Sequence, residues 1–112
     1  MDGNMNMADM FGKMQEMQER MAQSQAALAE KSIRAEVGGG MVVVEANGLG
    51  RITSVKVEKE VVQPDDVEML EDLIVSGVNK ALDEAEQLRQ DEMRRSASSM
   101  LPPGLDMSRL GL

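Results

Sequence analysis

The chain has 112 residues, which is enough for one domain with one modest core. It contains no cysteine, histidine, tyrosine or tryptophan, which excludes disulfide frameworks, thiolate zinc sites and Ser–His or Cys–His catalysis. No apolar run approaches the ~20 residues of a membrane span, and the first residues lack the apolar region of a signal peptide. We therefore expect a soluble, cytoplasmic protein.

The net charge of −8 is distributed unevenly along the chain. Residues 65–92 hold ten acidic and two basic residues, whereas residues 93–112 carry a net charge of +2. The acidity therefore belongs to one segment, and we expect the other surfaces to be neutral or basic. This distribution matters for any interaction with nucleic acid.

Helical periodicity begins at Met7 and predicts a first helix to about Glu30. Its apolar residues recur at alternating spacings of three and four, as in a heptad repeat: Met7, Met10, Met14, Met17, Met21, Ser24 and Leu28. Such a helix is on the order of 36 Å long, whereas a six-residue strand spans about 20 Å. The helix outreaches any sheet that this chain can form, so we expect a second helix or a second subunit to bury the remainder.

Three short strands are predicted next, at Ser32–Val37, Met41–Asn47 and Arg51–Lys59. Polar and apolar residues alternate in the first and third, which is typical of strands with one buried face. The glycines at 38–40 and the Asn47-Gly48 pair predict hairpin turns. The second strand begins with four consecutive apolar residues, which indicates a central position in an antiparallel meander.

A second helix is predicted from Asp65 to about Met93 or Arg94. Asp65 is placed as its N-cap, with Glu68 three residues later in a capping-box arrangement. Gly77 costs about 1 kcal/mol relative to alanine inside a helix, so we expect another element to approach the backbone closely there. Adjacent acidic pairs along this helix point in different directions, so they indicate a solvated face and not a metal or acid–base site.

These elements predict an α+β fold of order α-β-β-β-α, with a three-stranded antiparallel meander and two long helices. We expect residues 1–6 to form a loose N-terminus, residues 7–95 a single domain, and residues 96–112 a flexible or docking C-terminal tail. No catalytic constellation is present, and we expect neither enzyme activity nor a cofactor, metal or small-molecule substrate.

The order and spacing of several motifs resemble the YbaB/EbfC family of nucleoid-associated DNA-binding proteins over nearly the whole chain. The matching segments are Met14–Gln18, Gly38–Val42, Asn47-Gly48, Met69–Ile74, Val78–Ala81 and Met100–Leu105. The resemblance implies a homodimer with protruding helices, likened to tweezers, that binds double-stranded DNA in the nucleoid. It also implies an influence on nucleoid organisation and gene expression.

Two hypotheses of function remain open at this stage. The first is a DNA-binding homodimer that neutralises phosphates without reading bases. Its candidate contacts are Lys13 and Arg20 on the outer face of the first helix, together with Lys31, Arg34, Arg94 and Arg95. The second is an acidic protein-interaction dimer whose second helix meets a basic protein partner, with little or no DNA binding. The sequence pI of about 4.5 favours the second hypothesis, and the resemblance favours the first.

Overall fold

The computed structural model describes residues 6–99. The elements are α1 (Met7–Glu30), β1 (Ser32–Val37), β2 (Val42–Asn47), β3 (Ile52–Val57), a 3-10 turn (Lys59–Val61) and α2 (Val67–Ser99). The predicted α-β-β-β-α order is confirmed. Residues 1–5 and 100–112, predicted as a loose N-terminus and most of the tail, lie outside the described residues. Residues 96–99, also predicted as tail, belong to α2.

The three strands form one antiparallel sheet in the order β1-β2-β3. The register pairs Val37 with Val42 across the first hairpin and Val42 with Val57 across the second. A register shift between Glu45 and Ala46 marks an irregularity in the pairing of β2 with β3. The predicted central position of β2 is confirmed: its three consecutive valines, residues 42–44, are all buried.

Helix α2 covers one face of the sheet and packs mainly on β1 and β2. The contact is made by a stripe of small residues, since Gly77, Ala81 and Ala85 are all buried. A Cβ built on Gly77 would lie 2.8 Å from Cγ2 of Val44 and 3.3 Å from Cγ2 of Val37. The close approach predicted at Gly77 is therefore confirmed, and it explains a glycine at a helix-interior position.

Helix α1 is anchored to this body only near its C-terminal end. Leu28 is its one buried residue, and the carbonyl of Leu28 accepts a hydrogen bond from the backbone of Gly48 at 2.9 Å. Oγ of Ser24 lies 3.3 Å from Oγ of Ser96, and Lys31 at the end of α1 lies 3.9 Å from Glu92, so the end of α1 runs antiparallel to the end of α2. The rest of α1 projects away, and the molecule is 77 Å long but only 29 × 17 Å in cross-section.

β1 has the predicted bounds, whereas β2 and β3 are shorter than predicted. Met41 belongs to the first turn because the glycines at 38–40 all adopt positive φ, which delays pairing until Val42. Asn47 accepts backbone hydrogen bonds from Leu49 and Arg51 through Oδ1, so Arg51 is held in the second turn instead of β3. β3 ends at Val57, and the chain then bends into the 3-10 turn.

The predicted N-cap of α2 is wrong by one residue. The backbone N–H of Asp66 donates to the carbonyl of Gln63 at 3.0 Å, which encloses Pro64 and Asp65 in a turn. Proline favours the second position of such a turn, so Asp65 is used there. Asp66 caps the helix instead, with its Oδ1 accepting the N–H of Met69 at 3.2 Å. Glu68 then lies at the second helical position, and the predicted capping box does not form.

The predicted end of α2 is also wrong, because the helix continues past Arg94 to Ser99. No glycine or proline interrupts the chain between residues 94 and 99. Ser96 also lies against α1 through its contact with Ser24, so tertiary packing supports the extra turn.

Gly77→Ala should destabilise the fold, although alanine is the better helix former. The added methyl group would meet a fully buried valine, and overpacking of this kind costs about 1–3 kcal/mol against a propensity gain of about 1 kcal/mol. We expect a lower melting temperature. Gly12→Ala is the matched control, because a Cβ on Gly12 meets nothing within 4 Å. A Gly77→Ala protein that melts at or above the wild-type temperature would contradict this packing.

Asp66→Ala should lower the free energy of unfolding by about 1 kcal/mol through loss of the N-cap. Asp65→Ala should cost less, since neither carboxylate oxygen of Asp65 caps the helix. Chemical denaturation of both variants ranks the two positions directly. The reverse ranking would place the start of α2 at Asp65.

Candidate nucleic-acid interface

The projecting part of α1 carries an apolar stripe that no other described element covers. Asn6 caps this helix by accepting the N–H of Asp9 at 2.9 Å, which fixes its start at Met7. Five methionines, which we call the Met seam, are each 51–72% exposed: Met7, Met10, Met14, Met17 and Met21. Phe11 is also exposed and widens the stripe. The seam continues the line of Ser24 and Leu28, the residues through which α1 meets the body.

Lys13 and Arg20 lie on the same side of this projecting helix. Seven residues separate them, which is two turns, so they are about 10 Å apart along the helix axis and only ~20° apart around it. Helical spacing of three and four residues makes Lys13 a neighbour of Met10 and Met17, and Arg20 a neighbour of Met17 and Ser24, so both border the Met seam. Both side chains are exposed on this flank of α1. Neither residue forms an ion pair within the part of the chain that the structure describes.

The other four predicted DNA contacts are all paired with carboxylates. Lys31 and Arg95 share Glu92, at 3.9 and 3.4 Å, while Arg34 meets Glu36 at 3.4 Å. Arg94 lies 3.7 Å from Asp91. Lys31 and Arg95 are thus brought together at the junction of α1 and α2, whereas Arg34 lies apart on β1.

Three further basic residues were not singled out from the sequence. Arg51, Lys56 and Lys59 are exposed on or beside β3, and no ion pair holds them among residues 6–99. Their acidic sequence neighbours, Glu58 and Glu60, made this segment look neutral. Strand alternation places residues 56 and 58 on the same face, so the sequence held no signal that would have singled out Lys56.

The outer face of α2 is acidic and exposed. Glu71, Asp72 and Asp83 all lie on the solvent side of the helix. Glu86 and Arg89 form the shortest ion pair in the described chain, with Nη2 and Oε2 at 2.6 Å. The hydrogen bond from Arg89 lowers the pKa of Glu86, and the same bond raises the pKa of Arg89. This ion pair is neutral overall, so it is the carboxylates of Glu71, Asp72 and Asp83 that would repel phosphates from this face.

A second apolar surface lies on the β3 side of α2. Nζ of Lys80 donates a hydrogen bond to the carbonyl of Glu36 on β1 at 3.1 Å, so the flank of α2 that carries Lys80 faces β1. The opposite flank carries Ile74, Val78 and Leu82, all half-buried. Val55 of β3 is 41% exposed. A single helix covers β1 and β2 but leaves this edge of the sheet's apolar face open.

Within residues 6–99, no helix combines the length and apolar character needed to cross a membrane. The same residues hold no cluster of three side chains suited to a metal ion. An open groove of about 520 Å³ lies between β1 and α2, and Ile33 and Leu88 contribute to its lining. Its breadth and lack of enclosure distinguish it from the concave pockets that bind small molecules.

The sequence profile of the YbaB/EbfC DNA-binding family matches residues 2–100. The chain belongs to this family. A nucleoid-associated protein of Alkaliphilus metalliredigens is 43% identical over 105 residues, covering 94% of this chain and 92% of that protein. A nucleoid-associated protein of Syntrophobacter fumaroxidans is 44% identical over 98 residues, with coverage of 85% and 89%. The family is a DNA-binding family and not an enzyme family.

A solved structure supports the fold of this YbaB/EbfC chain independently. An uncharacterized protein from Helicobacter pylori superposes with a TM-score of 0.75 at 21% identity, covering 84% of this chain and 99% of that protein. At this level of identity the similarity concerns the fold alone.

Proposed function

We propose that this protein binds duplex DNA as a homodimer, mainly through phosphate contacts, in the nucleoid of the cytoplasm. There it influences nucleoid organisation and gene expression. The observation that carries the proposal is a pair of exposed basic residues, Lys13 and Arg20, on the projecting part of α1. Neither has a carboxylate partner in the described chain. Membership of a DNA-binding family and relatives named nucleoid-associated proteins support it.

Lys13 and Arg20 make the primary contacts in this proposal. Lysine and arginine that meet phosphates position a protein on DNA without reading its sequence, so binding is only mildly sequence-dependent. Lys31, Arg34, Arg94 and Arg95 contribute secondarily by exchanging a carboxylate for a phosphate. That exchange costs little for Arg34 and Arg94, because exposed salt bridges stabilise by at most about 1 kcal/mol. It costs more for Lys31 and Arg95, because their shared partner Glu92 is only 15% exposed and would lose its counter-charges.

The homodimer follows from the two uncovered apolar surfaces. The Met seam and the β3 flank of α2 both expose apolar surface to water. Removing such surface from water is favourable by roughly 25 cal/mol for each Å² buried. A second copy supplies matching apolar surface for both. The dimer also doubles the number of basic side chains, so that one duplex contacts Lys13 and Arg20 of both protomers.

Replacing Lys13 and Arg20 with glutamate should abolish the DNA mobility shift while leaving the dimer folded. The control is Lys56→Glu with Lys59→Glu, which makes the same change in net charge beside β3, where neither residue forms an ion pair within residues 6–99, and should leave most of the binding intact. Retention of full binding by the Lys13/Arg20 variant would remove α1 from the interface.

The salt dependence of binding measures how many phosphates the basic residues contact. Each neutralised phosphate contributes about −0.9 to the slope of log binding constant against log salt. Lys13→Ala should therefore reduce the slope by about two units if a dimer contacts the duplex with both arms, and by about one unit if one arm does. An unchanged slope contradicts a phosphate contact at Lys13.

Met14→Glu should dissociate the homodimer. It places a carboxylate in the Met seam of both protomers, and burial of an unpaired charge raises the dissociation constant by at least ~100-fold. Sedimentation equilibrium at micromolar concentration measures the effect. Gln15→Glu is the control, since it adds the same charge one residue away, facing solvent. A wild-type protein that sediments as a folded monomer would refute the dimer.

The acidic face of α2 favours the second candidate, a dimer that binds a basic protein partner. The two candidates separate at low salt, where phosphate contacts are strongest. If the wild-type protein fails to shift random duplex DNA under those conditions, the protein-interaction function replaces DNA binding.

A further inference from the structure

The exposed stripe of α1 consists of methionine at every one of its first five heptad positions, although leucine would fill them equally well. Methionine packs adaptably, but its thioether is open to two-electron oxidation. The five sulfur-bearing side chains of the Met seam are each more than half exposed in the protomer. The chain contains no cysteine, so no thiol competes for oxidant within it.

We propose that the Met seam is a modification site at which hydroperoxides convert methionine to methionine sulfoxide and thereby shift the protein from dimer to protomer. This inference rests on the homodimer of the proposed function. The sulfur lone pair attacks one peroxide oxygen, the S–O bond forms, and the O–O bond breaks. The attacked oxygen gives up its proton, and the remaining oxygen takes up a proton and leaves as water or an alcohol, so sulfur loses two electrons and the peroxide gains them.

The chemical change acts directly on the surface that the dimer buries. A sulfoxide oxygen is a strong hydrogen-bond acceptor, and burying it between apolar side chains without a donor is unfavourable. Two protomers contribute ten such positions. Oxidation at several of them should raise the dissociation constant more than about tenfold, in line with the loss of well-packed apolar contact.

Accessibility links oxidation to assembly in both directions. The Met seam is shielded in the dimer and exposed in the dissociated protomer, so oxidation proceeds through the protomer and traps it. Dilution below the dissociation constant should therefore accelerate oxidation of the seam. Met93 provides an internal reference, because it is 58% exposed on α2 and its sulfur meets Nη1 of Arg89 at 3.1 Å outside the seam.

The experiment uses the full chain treated with graded hydrogen peroxide. Peptide mass mapping measures oxidation at each methionine, and sedimentation velocity measures the dimer fraction in the same samples. We expect the dimer to be lost in step with oxidation of the Met seam and not with that of Met93. Treatment with methionine sulfoxide reductases of both stereospecificities should restore the dimer.

Two variants separate the seam from the other described methionines. In the first, leucine replaces all five residues of the Met seam; this variant should dimerise and keep its dimer at peroxide doses that dissociate the wild type. In the second, leucine replaces Met41, Met69 and Met93, and peroxide should dissociate it as it does the wild type. Circular dichroism of each oxidised sample is the control for unfolding: an unchanged spectrum means that dissociation is not caused by loss of the fold.

The outcomes distinguish this inference from the dimer on which it rests. A wild-type protein that is monomeric before peroxide is added refutes both. A dimer that keeps its mass after its seam sulfurs are oxidised refutes the inference alone. Equal peroxide sensitivity in the seam-leucine variant also overturns it, because the responsible group would then lie elsewhere.

Discussion

The contact between the small-residue stripe of α2 and the valines of β2 is the constraint on which the rest of this structure depends. Gly77, Ala81 and Ala85 let the helix backbone approach the sheet closely, and Val42 and Val44 fill the space that remains. The core is small and contains no aromatic residue. Its stability therefore comes from close packing, in which even one added methyl group has no space.

The position of α2 in turn determines where α1 can go. The C-terminal part of α2 extends beyond the sheet and provides the surface on which Ser24 of α1 lies. The last turn of α1 also packs against Gly48, where a Cβ would lie only 2.5 Å from the carbonyl oxygen of Leu28. Everything N-terminal to these contacts projects into solvent, so basic and apolar side chains are presented together on one arm.

Local patterns were sufficient to predict the elements of this fold, and competition between local signals explains where they failed. The bounds of α1, the central β2 and the close approach at Gly77 followed from periodicity and propensity. The cap of α2 did not, because two adjacent aspartates had equal capping propensity and only the turn at Pro64 decided between them. The continuation of α2 past Arg94 is accompanied by a contact with α1, which lies 72 residues away in sequence and is invisible to local patterns.

The candidate site was less predictable than the fold because pairing depends on three-dimensional neighbours. The pairs of Arg94 with Asp91 and Arg95 with Glu92 have helical i,i+3 spacing and were available from the sequence. The sharing of Glu92 with Lys31 was not, since it joins two helices. The absence of ion pairs at Lys13 and Arg20 within the described chain likewise emerged only from the geometry, because Asp9 and Glu16 stand at spacings that permit pairing.

The hydrogen bond from Lys80 to the carbonyl of Glu36 has a consequence for solubility. β1 is an edge strand, and unpaired edge carbonyls are templates on which strands of other chains add and aggregate. Lys80 occupies one of these acceptors and places an ammonium group beside the edge. An incoming strand would have to displace the lysine and bury its charge. The sheet is thereby protected against uncontrolled strand addition.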